Sequence, residues 1–552
     1  MSDAQNGAQL VVRHLEAQGV EYVFAIPGAK IDPVFDALRD SSIKTIVCRH
    51  EQNAAFIAGG LGRITGKAGV VLVTSGPGCS NLVTGLATAN TEGDPIVALG
   101  GAAPVAQRLK QTHQSMDTVA MCRPVTKFAA EIDAAGAVSE VLANAFRAAE
   151  TGRPGAAFVS LPKDIMLAGA PGRILAPIKP IRLGPADAAG IAAAARLIDA
   201  AERPVVLLGM LASRASATAA VRELFAKAKM AVASTFQGAG VVPREQLACF
   251  GGRVGLFHNQ PADRLLDGAD LIVTIGFDPV EYDPALWNRD RTRTLIHIDV
   301  LPADIDSDYR PDLELVGDIA ATLQALTAHV RARSSIGQAE LLADIARERE
   351  DLATQAAKQT GMPVHPLRLV HELQGLLDED TTLCSDMGSF HIWMARHLVV
   401  HRPRQIMISN GQQTLGVALP WAIAACLADP TSKVLSVSGD GGFLFSAAEL
   451  ETAVRLKCNF VHLVWIDGAY NMVQMQQMAA YGRDSGIHFG PVDVVKFAES
   501  MGARGFYIES PDQIAPVLRA ARAVGGPVLV GVPVDYRDNA SLMAALHPSV
   551  LH

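Results

Sequence analysis

Two aspartates end successive apolar runs in the last third of the chain. KVLSVSGDGG at 433–442 sets Asp440 among Gly439, Gly441 and Gly442, and FVHLVWIDG at 460–468 ends its run on Asp467. In open α/β sheets ligands gather at the carboxyl ends of strands, so neighbouring strands would bring both carboxylates to one edge. Glycines there allow close backbone approach and expose N–H groups that favour an anion such as phosphate. Two carboxylates and a backbone carbonyl leave octahedral positions for phosphate oxygens and water, which suits Mg²⁺. GDGG alone reads more simply as a tight strand-to-helix turn with a capping aspartate. Asp467 on the following strand end tips the balance toward a metal and phosphate site.

A second candidate is Glu51, between the run KTIVC and the helical stretch AAFIAGG. A carboxylate buried there can hold a proton and serve as an acid or base. By itself, an acid in the first turn of a helix more simply complements the helix dipole. Lys30, just after Pro27-Gly28, suits either a substrate carboxylate or a solvated helix start. His113 and Gln114 lie in the polar stretch QTHQSMD, where a lone histidine is more often a surface loop residue than a catalyst.

These residues need strands to carry them. YVFAI at 22–26, KTIVC at 44–48, GVVLV at 69–73 and PIVAL at 95–99 alternate with helical stretches, the rhythm of a parallel sheet covered on both faces. PVVLLG at 204–209, MAVAS at 230–234, LIVTIG at 271–276 and TLIHID at 294–299 repeat it, as do TTLCSD at 381–386, RQIMIS at 404–409, the two aspartate runs and PVLVGV at 527–532. The Pro-rich segment 171–185 reads as a linker and the polar helical stretch 339–358 as a connector. The expected architecture is three doubly wound, parallel-sheet α/β domains, at residues 1–170, 186–335 and 360–545.

Length and composition agree. The 552 residues suffice for three or four domains, and 49% hydrophobic content is too apolar for a disordered chain. A net charge of −8 disfavours nucleic acid as a partner. Seven scattered cysteines without a C-x-x-C pair fit a reducing compartment. The N-terminus lacks the pattern of an export signal, and the longest apolar stretch, near 416–428, contains a proline and is too short to cross a bilayer. A cytoplasmic protein without membrane association is the expectation.

The motifs together resemble the thiamine-diphosphate-dependent enzymes, whose signature is G-D-G followed by a second polar metal ligand, here Asp440 and Asp467, 27 residues apart. RHEQNAAFIAGGLGRITG at 49–66, TSGPGCSN at 74–81 and SNGQQTLGVALPWAIAA at 409–425 match the same family. With GAKIDPVFD at 28–36, KQTHQSMDTV at 110–119 and GRVGLFHNQ at 252–260, the resemblance is greatest to the catabolic, FAD-independent acetolactate synthases and runs from about residue 8 to 545.

The resemblance implies the following roles. Asp440 and Asp467 would hold Mg²⁺ with the Ala469 carbonyl, while Gly441, Gly442, Asn471 and the turn Gly388, Ser389 and Phe390 would face the diphosphate. Leu415 would prop the cofactor into its bent form, and backbone groups of Gln413 and Leu415 would hold the pyrimidine edge. Glu51 would be the catalytic carboxylate, with Gln114, His113, Lys30 and Gln476 near the substrate. The implied reaction decarboxylates pyruvate and joins the two-carbon unit to a second pyruvate, in a homodimer or homotetramer.

Some residues depart from the wider family. Asp467 stands where most members have Asn, Leu415 where related synthases often have Met, and Gly468-Ala469 with QMQQMAA at 474–480 replaces a more charged segment. Other thiamine-diphosphate enzymes are the nearest alternatives. No His-His pair suggests a decarboxylase, and GFDPVEYDP follows 271–276 where flavin-binding synthases carry Arg-Phe-Asp-Asp-Arg, so FAD is not expected. A dinucleotide-dependent dehydrogenase lacks its G-x-G-x-x-G here. A scaffold that keeps only the fold is the third alternative.

Overall fold

The computed structural model describes residues 5–543 except 109, 171, 172, 179, 180 and 182. Part of the expected linker at 171–185, and residues 544–545 of the third expected domain, therefore lie outside the described residues.

Runs of Val, Ile and Leu buried on both faces form the centres of three six-stranded sheets, every strand pairing in parallel. The first holds β1 (Tyr22–Ala25), β2 (Lys44–Val47), β3 (Gly69–Val73), β4 (Ile96–Ala102), β5 (Phe128–Glu131) and β6 (Ala156–Pro162), in the order β2-β1-β3-β4-β6-β5. The second holds β7 (Pro204–Leu208), β8 (Ala231–Thr235), β9 (Phe250–Val254), β10 (Leu271–Ile275), β11 (Thr294–Asp299) and β12 (Leu313–Val316), ordered β12-β11-β10-β7-β8-β9. The third holds β13 (Thr381–Ser385), β14 (Ile406–Ile408), β15 (Lys433–Gly439), β16 (Phe460–Ile466), β17 (Arg504–Tyr507) and β18 (Val528–Pro533), ordered β14-β13-β15-β16-β18-β17. Sheets one and three thus share one topology, while the second has the strand order of the dinucleotide-binding doubly wound fold. Intervening helices make the architecture three doubly wound α/β sheets.

The apolar runs read from the sequence all lie on strands. Five strands, β5, β6, β9, β12 and β17, carry no such run and were not anticipated. The polar stretch at 339–358 forms the helix Ala339–Ala357.

The chain gathers into two compact units. One contains the described residues of Met1–Ile181 together with Gly411–Thr431 and Ser446–Cys458; the other contains Arg182–Asn410, Ser432–Phe445 and the rest from Asn459. In the first unit the helix Ala418–Ala428 packs on the helix Glu51–Thr65 because Gly60 removes a side chain at the contact. A Cβ on Gly60 would lie 2.6 Å from Trp421 Cδ1. The Arg63 guanidinium covers the Trp421 ring at 4.4 Å and grips buried Asp94 through two hydrogen bonds of 2.7 and 2.9 Å. In the second unit, buried His462 on β16 bonds Ser436 and Ser438 of β15 at 2.7 and 2.8 Å. Burial holds that imidazole neutral, its pKa pushed down to about 3, so it can serve as both donor and acceptor between the two strands that end at the aspartates.

Candidate active site

β15 and β16 are hydrogen-bonded neighbours, Gly439 lying opposite Trp465, so Asp440 and Asp467 emerge side by side. Asp440 begins the helix Asp440–Ser446, and its two carboxylate oxygens accept from Gly441 N at 3.0 Å and Gly468 N at 2.8 Å. Burial raises the Asp440 pKa. Burial first, and then the Asp440 charge, push Asp467 up to about 7. Two facing carboxylates, one of them raised toward neutrality, are a donor set that a divalent cation would relieve. Ala469 is buried beside them and pairs with His488 in an isolated bridge. At Gly441 a Cβ would sit 2.7 Å from Tyr470 Cε1, so the backbone passes where no side chain fits; Gly442 follows it in the same helix.

Across the same edge, β13 leads into Gly388, whose φ of 155° and a Cβ position 2.6 Å from Phe390 Cε1 both require glycine. Ser389 opens the helix Ser389–His397, and its hydroxyl donates to Asn471 Oδ1 at 2.7 Å. Asn539 Nδ2 donates to the same oxygen at 2.8 Å, and Trp393 Nε1 holds Asn539 Oδ1 at 2.7 Å. Asn471, in the helix that follows Asp467, is thereby tied to Ser389, with Phe390 buried against Trp465. Gln476 lies exposed on the helix Asn471–Tyr481, which buries none of its side chains.

The first unit gathers the other group. Glu51 is buried at the start of its helix and accepts from Asn81 Nδ2 at 2.9 Å. The turn before Asn81 bends at Gly76, φ 60°, and Gln114, itself at φ 58°, lies against it. Ser75 Oγ donates to Gln114 Oε1 at 3.4 Å. Gln413 is exposed at φ 48° and Leu415 half-buried, both in the segment that joins this unit. That segment is fastened by Gly411 N to Glu92 Oε1 at 2.8 Å and by Thr414 to Thr88 at 2.8 Å. Lys30 is half-buried beside Gly101, and His113 is exposed. The sequence reading missed Asn81, Asn539, Tyr536, whose phenol pKa is raised by burial and by both aspartates, and Glu449.

Comparison with known proteins decides the family. The chain matches three family descriptions: "Thiamine pyrophosphate enzyme, N-terminal TPP binding domain" over residues 5–121, the central domain over 191–326 and the C-terminal TPP binding domain over 386–532. It is 56% identical to "Acetolactate synthase, catabolic" of Raoultella terrigena, covering 99% of this chain and 98% of that one. It is 51% identical to "Acetolactate synthase" of Bacillus subtilis strain 168, covering 97% and 94%, and 30% identical to "Acetolactate synthase isozyme 1 large subunit" of Escherichia coli K12, covering 96% and 94%.

The chain belongs to the acetolactate synthase family of thiamine pyrophosphate enzymes.

In this family member the donor set fits its cofactor. The C-terminal TPP-binding match covers the aspartate pair, the Gly388 turn and Asn471, and the N-terminal match covers Glu51, Asn81 and Gln114. Backbone at Gly388 and Gly441 where a Cβ would meet Phe390 and Tyr470, beside two facing carboxylates of which Asp467 is pushed up to about 7, suits a diphosphate carried by a divalent cation. Among the described residues there is no helix long and apolar enough to cross a membrane, and all seven cysteines are buried and outside any disulfide.

Proposed function

We propose that this chain is an acetolactate synthase: two pyruvates and a proton give 2-acetolactate and CO₂. The observation that carries this reading is the likeness to a catabolic acetolactate synthase across 99% of the chain; a carboxylate pair held by backbone N–H groups and a buried glutamate held by Asn81 support it. Thiamine diphosphate, when bound, supplies the electron sink for loss of CO₂ and for carbon–carbon bond formation.

The residues divide the remaining work. Asp440, Asp467 and the Ala469 carbonyl would hold Mg²⁺, and Gly441, Gly442, Asn471, Gly388, Ser389 and Phe390 would line the diphosphate. Leu415 and the backbone of Gln413 would contact the pyrimidine end of the cofactor. Glu51, its orientation kept by Asn81, holds the proton exchanged with the pyrimidine ring. Gln114, His113, Lys30 and Gln476 orient the second pyruvate, which in favourable geometry contributes about 7–11 kcal/mol over free encounter.

The central domain works without FAD. Supporting this, buried Glu281 fills the switch point between β7 and β10. Its carboxylate accepts from Met210 N at 3.0 Å, Asp278 N at 3.1 Å and Thr235 Oγ1 at 2.6 Å, donors that in a dinucleotide-binding doubly wound fold would meet a phosphate. The active unit is a homodimer in which Glu51 of one chain serves the aspartate pair of a second, and dimers pair into a tetramer. Exposed Leu444, Phe445, Val473, Met478 and Tyr481, near the aspartates in sequence, are apolar surface of the kind a second copy covers. The cytoplasm is the compartment, where the seven buried thiols stay reduced.

Reconstitution tests the reading. Protein stripped of cofactor and metal should form acetolactate only when thiamine diphosphate and Mg²⁺ are both returned, and Asp440→Ala should abolish the recovery. Full activity after exhaustive chelation and cofactor removal would refute it.

A further inference from the structure

Glu449 opens the helix Glu449–Arg455 with no exposed surface, about 400 residues along the chain from Glu51 but within the same compact unit. One carboxylate oxygen, Oε1, accepts both Arg49 N at 2.8 Å and His50 N at 3.1 Å. These two residues immediately precede Glu51. Their N–H groups lie ahead of the helix Glu51–Thr65, so neither is needed for its internal hydrogen bonds and each requires an acceptor from elsewhere. The other oxygen, Oε2, accepts from Thr452 Oγ1 at 2.7 Å, which fixes the carboxylate's rotation.

The same short helix holds this connection at two more points. Arg455 Nη2 donates to Val47 O, the last residue of β2, and Glu451 pairs with Arg49 Nε at 2.8 Å. The second contact is half-exposed and contributes little. The Glu449 bonds are charge-assisted and shielded from water, where such bonds are strongest and where an orphaned N–H is most costly. His50 is the extended residue on which the helix turns, φ −149° and ψ 142°, and Glu51 is the first residue after it. A shift of that backbone therefore redirects the Glu51 side chain away from Asn81.

We propose that Glu449 is a positioning residue: its carboxylate clamps the 49–50 backbone and so aims Glu51 at the proton it exchanges. The proposal rests on the reading of Glu51 given above. It predicts that the Glu449 acceptor matters for proton movement at the cofactor and much less for cofactor affinity.

The test compares Glu449→Asp, which draws the acceptor back by one methylene, with Glu449→Gln, which leaves an oxygen in place. Each is loaded with thiamine diphosphate and Mg²⁺, and three quantities are measured without turnover: cofactor affinity by calorimetry, thermal midpoint, and exchange of the thiazolium C2 proton for deuterium by quenched-flow NMR. The expected result is C2 exchange at least tenfold slower in Glu449→Asp, affinity within about threefold of wild type, and most of the exchange rate recovered in Glu449→Gln. Folded Glu449→Asp with an unchanged exchange rate overturns the proposal, as does a loss of cofactor affinity equal to the loss of exchange. Glu51→Gln separates the two readings. If that variant exchanges at the wild-type rate, the role of Glu51 itself is wrong, whereas slow exchange in Glu51→Gln beside normal exchange in Glu449→Asp removes only the clamp.

Discussion

Asp440 and Asp467 stand at the ends of adjacent parallel strands, and the charge of Asp440 adds to burial in raising Asp467. Asp440 is held by two backbone N–H groups, while half-buried Asp467, facing Asp440, is pushed up to about 7. An ordinary carboxyl in the unfolded chain titrates near 4. Between those values the folded, metal-free protein binds the extra proton, so its stability falls as pH rises through about 4 to 7. Mg²⁺ must displace the same proton. Its affinity should therefore climb with pH, by up to about tenfold per unit, and level off above about 7. Calorimetric Mg²⁺ titrations from pH 5.5 to 8 check this, and an affinity flat across the acid half of that range contradicts it.

Mixing two inactive variants tests the assembly. Glu51→Ala and Asp440→Ala chains, combined under conditions of subunit exchange, should regain part of the wild-type rate, because a mixed dimer holds one intact pair of contributions. Exchange shown by mass spectrometry without recovered activity removes the shared site.

Arg63 is a stability prediction independent of catalysis. It is buried between Asp94, Glu92 and the Trp421 ring, so Arg63→Ala leaves two buried carboxylates without their main cation. The expected loss is about 3–5 kcal/mol in reversible denaturant unfolding. A loss below about 1 kcal/mol, the range of a surface ion pair, shows that this cluster does not hold the two helices together.

Gln476 projects from a helix with no buried residues, so its removal should leave the fold and the cofactor alone. Gln476→Ala should raise the share of acetaldehyde among products by loosening the second pyruvate, with cofactor affinity unchanged. Gas chromatography of quenched reactions reports the ratio, and an unchanged ratio excludes Gln476 from acceptor binding.

Legibility in the sequence followed burial. Central strands such as β3, β10 and β16 bury nearly every residue and read as short runs rich in Val, Ile and Leu. Four of the five unread strands, β5, β9, β12 and β17, are sheet edges, which bury less and tolerate Ala, Gly, Arg and Glu. The fifth, β6, begins with two alanines and mixes Ser and Pro into its run. The aspartate pair was visible because each Asp ends such a run. Asn81, Asn539 and Glu449 were not, because their partners lie 30, 68 and 400 residues away and only the folded chain brings them together. Likewise, Gln413 and Leu415 join the unit of Glu51 through bonds to Thr88 and Glu92 that no local pattern encodes.

The central claim is the product. Holoenzyme given pyruvate alone, with ¹³C NMR following the reaction before any acid step, should show chiefly 2-acetolactate, one CO₂ released for every two pyruvates consumed, and acetoin only after acidification. Acetaldehyde in equal amount to CO₂, or acetyl phosphate with peroxide, would contradict the synthase reading and leave only the thiamine-diphosphate family.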